Sequence, residues 1–210
     1  LNRPAPLNPP EIHPANADLL ISCDNPTRDE IRKAIIQLKN GKAAGPDNIP
    51  AEALRADLEA SVEMLYPLFE KIWEEEEIPT DWKEGYLIKI PKKGDLSNCS
   101  NYKGITLLSV PGKVFIWVLL ERMKKAVDPQ LRDEQVGFCQ NRSCLDQLAT
   151  LRIIVEQSLT SNVSLYINFV DYEKAFDSVD KETLWNLLRH YGVPTKLVNM
   201  IKNTYNGMTC

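Results

Sequence analysis

The stretch Ile167-Asn-Phe-Val-Asp171-Tyr-Glu-Lys-Ala-Phe176-Asp177-Ser-Val-Asp180 is a short apolar run that delivers a carboxylate and then turns toward a helix. Four apolar or amide positions precede Asp171. A second carboxylate, Asp177, follows six residues later, after Ala175-Phe176. "SLYINFV" (164–170) reads as a buried strand with Asp171 at its tip, and Asp180 reads as the N-cap of the next helix. Packing alone does not call for a carboxylate at a strand tip. Phosphatases that pair a strand with Asp-x-Asp are excluded, because Tyr172 and Glu173 follow Asp171. Receiver domains are excluded by the lack of an acidic pair near the N-terminus and of a correctly placed lysine. Metal binding for phosphoryl transfer remains, beside the plain reading of both aspartates as caps.

Working outward, residues 1–26 read as an extended, Pro-rich linker. Residues 27–140 form one helix-rich region and residues 141–210 a second. Thr27 and Glu30 have the spacing of a capping box. Ile31, Ala34, Ile35 and Leu38 then recur at helical intervals, with Gly41 expected to close the helix. A long helix is expected over 51–76, with a kink or break at Pro67. "GYLIKIPKKGD" (85–95) and "GITLLS" (104–109) read as antiparallel strands joined through a turn at Lys93-Gly94. Helices are expected over about 111–127, 145–159, 180–189 and 195–206, the last two separated by Gly192 and Pro194.

Composition excludes some classes. Net charge is −4, which argues against a uniformly basic nucleic-acid binder, but the charge is segregated. Residues 51–81 carry ten acidic and two basic side chains, whereas residues 86–125 carry eight basic and two acidic ones. Such a basic stretch serves phosphate if it lines a cleft, and otherwise is a solvated face. The five cysteines are odd in number and irregularly spaced, a poor framework for zinc or disulfides and one that fits a reducing compartment. No apolar run is long enough for a membrane span.

"FVDYEKAFDSVD" resembles motif A of reverse transcriptases from non-LTR (LINE-type) retrotransposons, closest in flavour to RTE-like elements. The resemblance extends along the chain: "LKNGKAAGPDNIPAEAL", "LIKIPKKGD", "NYKGITLLSVPGKVF", "DEQVGFCQNRSCLDQLATLR" and "LWNLLRHYGVP" resemble successive blocks of that family. It implies an α+β right-hand polymerase fold: helix-rich fingers (27–140) with a small antiparallel sheet, and an incomplete palm (141–210) containing motif A. It implies RNA-directed DNA synthesis by target-primed reverse transcription, with an RNA template, a DNA primer and deoxynucleotides as partners, Mg²⁺ as cofactor, no membrane, and an intracellular setting in cytoplasm or nucleus.

The same resemblance assigns residues. Asp171 would be a catalytic metal ligand, and the Tyr172 carbonyl would help hold the second metal. Phe176 would be the ring that excludes a 2′-hydroxyl, where the residues alone also allow plain core packing. Lys92, or Lys89 if alternation places it differently, and Lys103 would lie near the triphosphate. Asp177 would be structural. Three positions depart from the pattern: Lys103 and Cys139 stand where Arg is usual, and Val136 where Ala is usual. Lysine keeps the charge but loses the guanidinium fork. No Asp-Asp dipeptide occurs in the 210 residues, whereas the family pattern calls for one after motif A. The chain is therefore expected to be a fragment or decayed copy, inactive alone, with a non-catalytic nucleic-acid-binding remnant as the alternative. Its unpaired palm strand is expected to expose a sheet edge and to self-associate.

Overall fold

A computed structural model describes residues 11–139, 141–172, 175, 176 and 178–210. Seven α-helices and one two-stranded sheet are present among the described residues.

Helix α1 (Arg28–Gln37) begins where the capping box predicts. The Thr27 hydroxyl accepts from the Glu30 N–H at 3.2 Å, and the Glu30 carboxylate accepts from the Thr27 N–H at 2.8 Å. The helix ends at Gln37, earlier than Gly41 suggested, because Leu38 turns to extended backbone and buries its side chain. Gly41 sits in the following loop at φ +67°.

The helix expected over 51–76 is two helices, α2 (Ala51–Ala56) and α3 (Leu58–Glu75). The break falls at Asp57, not Pro67. Asp57 adopts extended backbone, and its carboxylate accepts from the Ala60 N–H at 3.0 Å, which caps α3. Pro67 lies within a continuous α3 whose face (Val62, Leu65, Phe69, Ile72, Trp73) is buried on both sides of it. Burial of that face outweighs the roughly 3 kcal/mol that an interior proline costs.

Strands β1 (Tyr86–Pro91) and β2 (Tyr102–Leu107) pair antiparallel, with Tyr86 opposite Leu107 and Pro91 opposite Tyr102. Helix α4 (Val110–Val127) follows immediately. Its N-cap Ser109 is itself buried and accepts from the Gly112 N–H. Helix α5 (Cys144–Thr160) starts with a second capping box, Ser143 with Asp146. Helix α6 (Lys181–His190) is capped by Asp180, as predicted, and α7 (Thr195–Tyr205) follows a turn in which Gly192 has φ +82°.

The core lies between α1, α3 and α4 and continues into α6 and α7. Phe69, Trp73, Trp82 and Phe115 form an aromatic cluster, with Phe69 and Phe115 edge to face at 5.2 Å. Such pairs add to simple area burial. Helix α7 is fastened to the end of α3: Asn203 donates to the Glu76 carbonyl and Asn199 to its carboxylate.

Residues 11–26 contain neither helix nor strand, yet they are tied across the helices as a strap. The Leu19 N–H donates to the Gly192 carbonyl at 2.6 Å, and the Ala15 N–H to the Arg189 carbonyl at 3.0 Å. Trp73 Nε1 donates to the Cys23 carbonyl at 2.8 Å.

Helix α5 buries none of its residues. The segment 163–172 is neither helix nor strand, so the strand expected at 164–170 is not formed. A strand exists only by pairing, and among the described residues none pairs with it. Tyr166, Phe169 and Val170 are correspondingly exposed. All five cysteines are free, and no described helix is long and apolar enough to cross a membrane.

Candidate functional site

Asp171 lies on the irregular segment that leads toward α6, and it is exposed. Among the described residues no side chain donates a hydrogen bond to its carboxylate and no cation pairs with it, unlike the caps nearby. Asp180, nine residues on, accepts from the Thr183 hydroxyl at 2.7 Å and the Thr183 N–H at 2.8 Å. The Thr183 hydroxyl and then its N–H hold the Asp180 carboxyl below the usual range. Asp180 is thus a cap, and the cap reading open for Asp171 finds no partner. Asp177 lies outside the described residues.

Phe176 is 80% exposed, so its ring does not pack into the core formed by the described residues. Its ring instead meets another exposed ring, Phe138, edge to face at 5.8 Å with the planes at 85°. Tyr172, next to Asp171 in the chain, is also exposed. Sequence reasoning named the block containing Phe138 but gave that residue no role. An aromatic directly after a glycine in a polar loop is the signal that could have found it.

The hairpin register decides which lysines share a face. Ile90 stands opposite Lys103, and the Lys92 N–H donates to the Asn101 carbonyl at 2.7 Å, so pairing continues one step beyond the strand in the same register. Directly opposed residues lie on the same face, and faces alternate along a strand. Lys92 and Lys103 therefore share one face with Ile88, Ile90 and Ile105, while Lys89, opposite Gly104, lies on the other. No hydrogen bond or ion pair among the described residues joins these lysines to Asp171.

Arg122 has a different fate from the rest of the basic stretch. Its side chain is only 7% exposed. It pairs with Glu30, donates to the carbonyls of Ser22, Asp24 and Asn25, and stacks over Trp73 at 4.8 Å. It is therefore spent on structure. A groove of about 790 Å³ lies beside it, between the strap, α1 and α4, and holds none of Asp171, Phe176, Lys92 or Lys103. No three His, Cys, Asp or Glu side chains among the described residues converge as a metal cage. Asp171 is a hard oxygen donor of the kind Mg²⁺ takes, so its chemistry fits one ligand position and not a complete two-metal set.

Residues 90–209 match the family described as reverse transcriptase (RNA-dependent DNA polymerase). The chain is similar to the transposon TX1 uncharacterized 149 kDa protein of Xenopus laevis, at 24% identity over 88% of this chain and 14% of that protein. It is also similar to the Pol polyprotein of the type-2 retrotransposable element R2DM of Drosophila melanogaster, at 25% identity over 86% of this chain and 16% of that protein. A third relative is the putative 115 kDa protein of the type-1 element R1DM of Drosophila melanogaster, at 30% identity over 72% and 15% respectively. The chain thus spans about one sixth or less of the length of these relatives.

Proposed function

This chain belongs to the reverse transcriptase (RNA-dependent DNA polymerase) family, and on that premise we propose that it supplies the fingers (27–140) and the first palm elements (141–210) of a retrotransposon RNA-directed DNA polymerase. Its partners would be an RNA template, a DNA primer and deoxynucleotides. The observation that carries the reading is Asp171: an exposed carboxylate without a polar partner among the described residues, inside the matched range and five residues before the exposed Phe176.

Asp171 would hold Mg²⁺, with the Tyr172 carbonyl contributing to a second ion. When bound, the metal pair activates the primer 3′-hydroxyl and neutralises the leaving pyrophosphate. Phe176 would stand under the sugar and exclude a 2′-hydroxyl by its bulk. Lys92 and Lys103, on one face of the hairpin, would meet the triphosphate as point charges. The acidic stretch 51–81, with ten carboxylates, would be kept away from nucleic acid by repulsion.

One carboxylate does not organise two metals. The 210 residues alone are therefore proposed to be inactive. The test is primer extension on an RNA template with Mg²⁺ or Mn²⁺. The purified chain should give no product above a protein-free control. The same sequence joined to the further palm and thumb of a relative should extend the primer, and Asp171→Asn should lower that extension by about a thousandfold, roughly 4 kcal/mol of transition-state stabilisation. Full activity in the Asn variant would remove Asp171 from the site.

A further inference from the structure

We infer that Phe138 is a positioning residue for sugar selectivity: its ring braces Phe176 so that Phe176 acts as a fixed wall. The inference rests on the reading of Phe176 as the residue facing the nucleotide sugar.

The two rings meet at 5.8 Å and 85°, the edge-to-face arrangement that aromatic quadrupoles favour. Phe138 is 93% exposed and Phe176 80% exposed, so the core does not force them together. An exposed phenyl ring ordinarily hops between rotamers. A steric filter discriminates only if the wall does not yield to the wrong substrate. A perpendicular second ring supplies that resistance from the side.

The loop that carries Phe138 is built to hold it. Phe138 has φ +63°, a left-handed backbone that a bulky residue adopts only when its surroundings compel it. Arg142 ties together the turn that precedes it. Its guanidinium gathers the carbonyls of Arg132 and Gln135, at 3.2 and 3.1 Å, and also that of Asp133. The Gln135 side chain then donates to the Gly137 carbonyl at 3.0 Å, directly before Phe138. The Gln147 side chain fastens the loop to α5 by donating to the Glu134 carbonyl at 3.0 Å. None of these groups belongs to the buried core, so they can be changed without unfolding it.

The experiment uses the chain joined to the further palm and thumb of a relative, as in the extension test, with the Phe138 and Phe176 rings labelled. Wild type should show a ring-to-ring cross-peak between Phe138 and Phe176. Titration with the magnesium complexes of dATP and ATP, read at the Phe176 ring, gives a ratio of dissociation constants. Phe138→Leu should lower the deoxynucleotide preference roughly two- to tenfold, the range an aromatic pair is worth, with the melting temperature unchanged. Arg142→Ala should act in the same direction, and Phe138→Tyr should keep the wild-type ratio. Absence of the cross-peak in wild type overturns the brace. A ratio that moves in Phe176→Val but not in Phe138→Leu overturns the brace and leaves the reading of Phe176 standing. A ratio that moves in neither, or no response of the Phe176 ring to deoxynucleotide, overturns that reading and the inference with it.

Discussion

Arg122 and Glu30, separated by 92 residues, form a two-point ion pair: Nε to Oε1 at 2.6 Å, and Nη2 to Oε2 at 2.7 Å. The same Glu30 carboxylate caps α1 through Thr27. Nη1 and Nη2 also donate to three strap carbonyls, those of Ser22, Asp24 and Asn25. One guanidinium therefore joins α4, the start of α1, the strap and the face of Trp73.

Arg122→Lys should be strongly destabilising although the charge is kept. A lysine has three donors on one nitrogen and cannot span a carboxylate and three carbonyls at once. The expected loss is about 2–3 kcal/mol, below that of a fully buried pair because Glu30 is partly exposed. Thermal melting checks it, with a fall of roughly 4–12 °C for a chain of this size.

Acid should weaken the fold partly through Glu30. Burial pushes its carboxyl up, but the Arg122 hydrogen bond and the Thr27 N–H outweigh that and leave it below the ordinary glutamate range. A group depressed in the folded state contributes stability above its unfolded value, about 4.3. That contribution is lost as pH falls through the lower folded value. Urea unfolding at stepped pH from 7 to 3 should show a shallower decline in Glu30→Gln than in wild type, from a lower starting point.

Gly45→Ala should loosen the loop after α1. A Cβ at Gly45 would lie 2.5 Å from the Leu108 carbonyl carbon and 2.7 Å from the Ser109 nitrogen, both backbone atoms that cannot swing aside. The loop or the β2–α4 junction must move, at about 1–3 kcal/mol. Amide exchange around Ser109 and Gly112 should speed up in this variant. Gly41→Ala meets no atom within 4 Å and suffers only its left-handed backbone, so exchange at that junction should stay at the wild-type rate.

Tyr166→Lys with Phe169→Lys should reduce self-association without changing the melting temperature. These side chains are 92% and 83% exposed and lie among other exposed apolar residues of 163–172. Adding charge removes apolar surface from that patch while touching no core contact. Sedimentation across a concentration series measures the first effect and thermal melting the second. A wild type that sediments as a monomer throughout would remove the expectation of self-association, and a double variant that associates as strongly as wild type would remove this segment as its cause.

Local chemistry by itself determined much of this protein. The Thr27–Glu30 box, the Asp180 cap, the hairpin and helix α7 form where short-range patterns place them, because caps and amphipathic spacing act within a few residues. The motif blocks, read as a reverse transcriptase, likewise needed no coordinates. Tertiary structure decided the rest. It moved the break in the second helix from Pro67 to Asp57, because the packed face of α3 holds the helix through the proline. It took Arg122 out of the basic stretch and buried it against Glu30, a pairing across 92 residues that no local pattern encodes. Among the described residues it left 164–170 without strand pairing, although its composition reads as strand, because a strand takes its hydrogen bonds from a neighbour. It brought Phe138 to Phe176, since contact between distant loops depends on where the chain between them is folded.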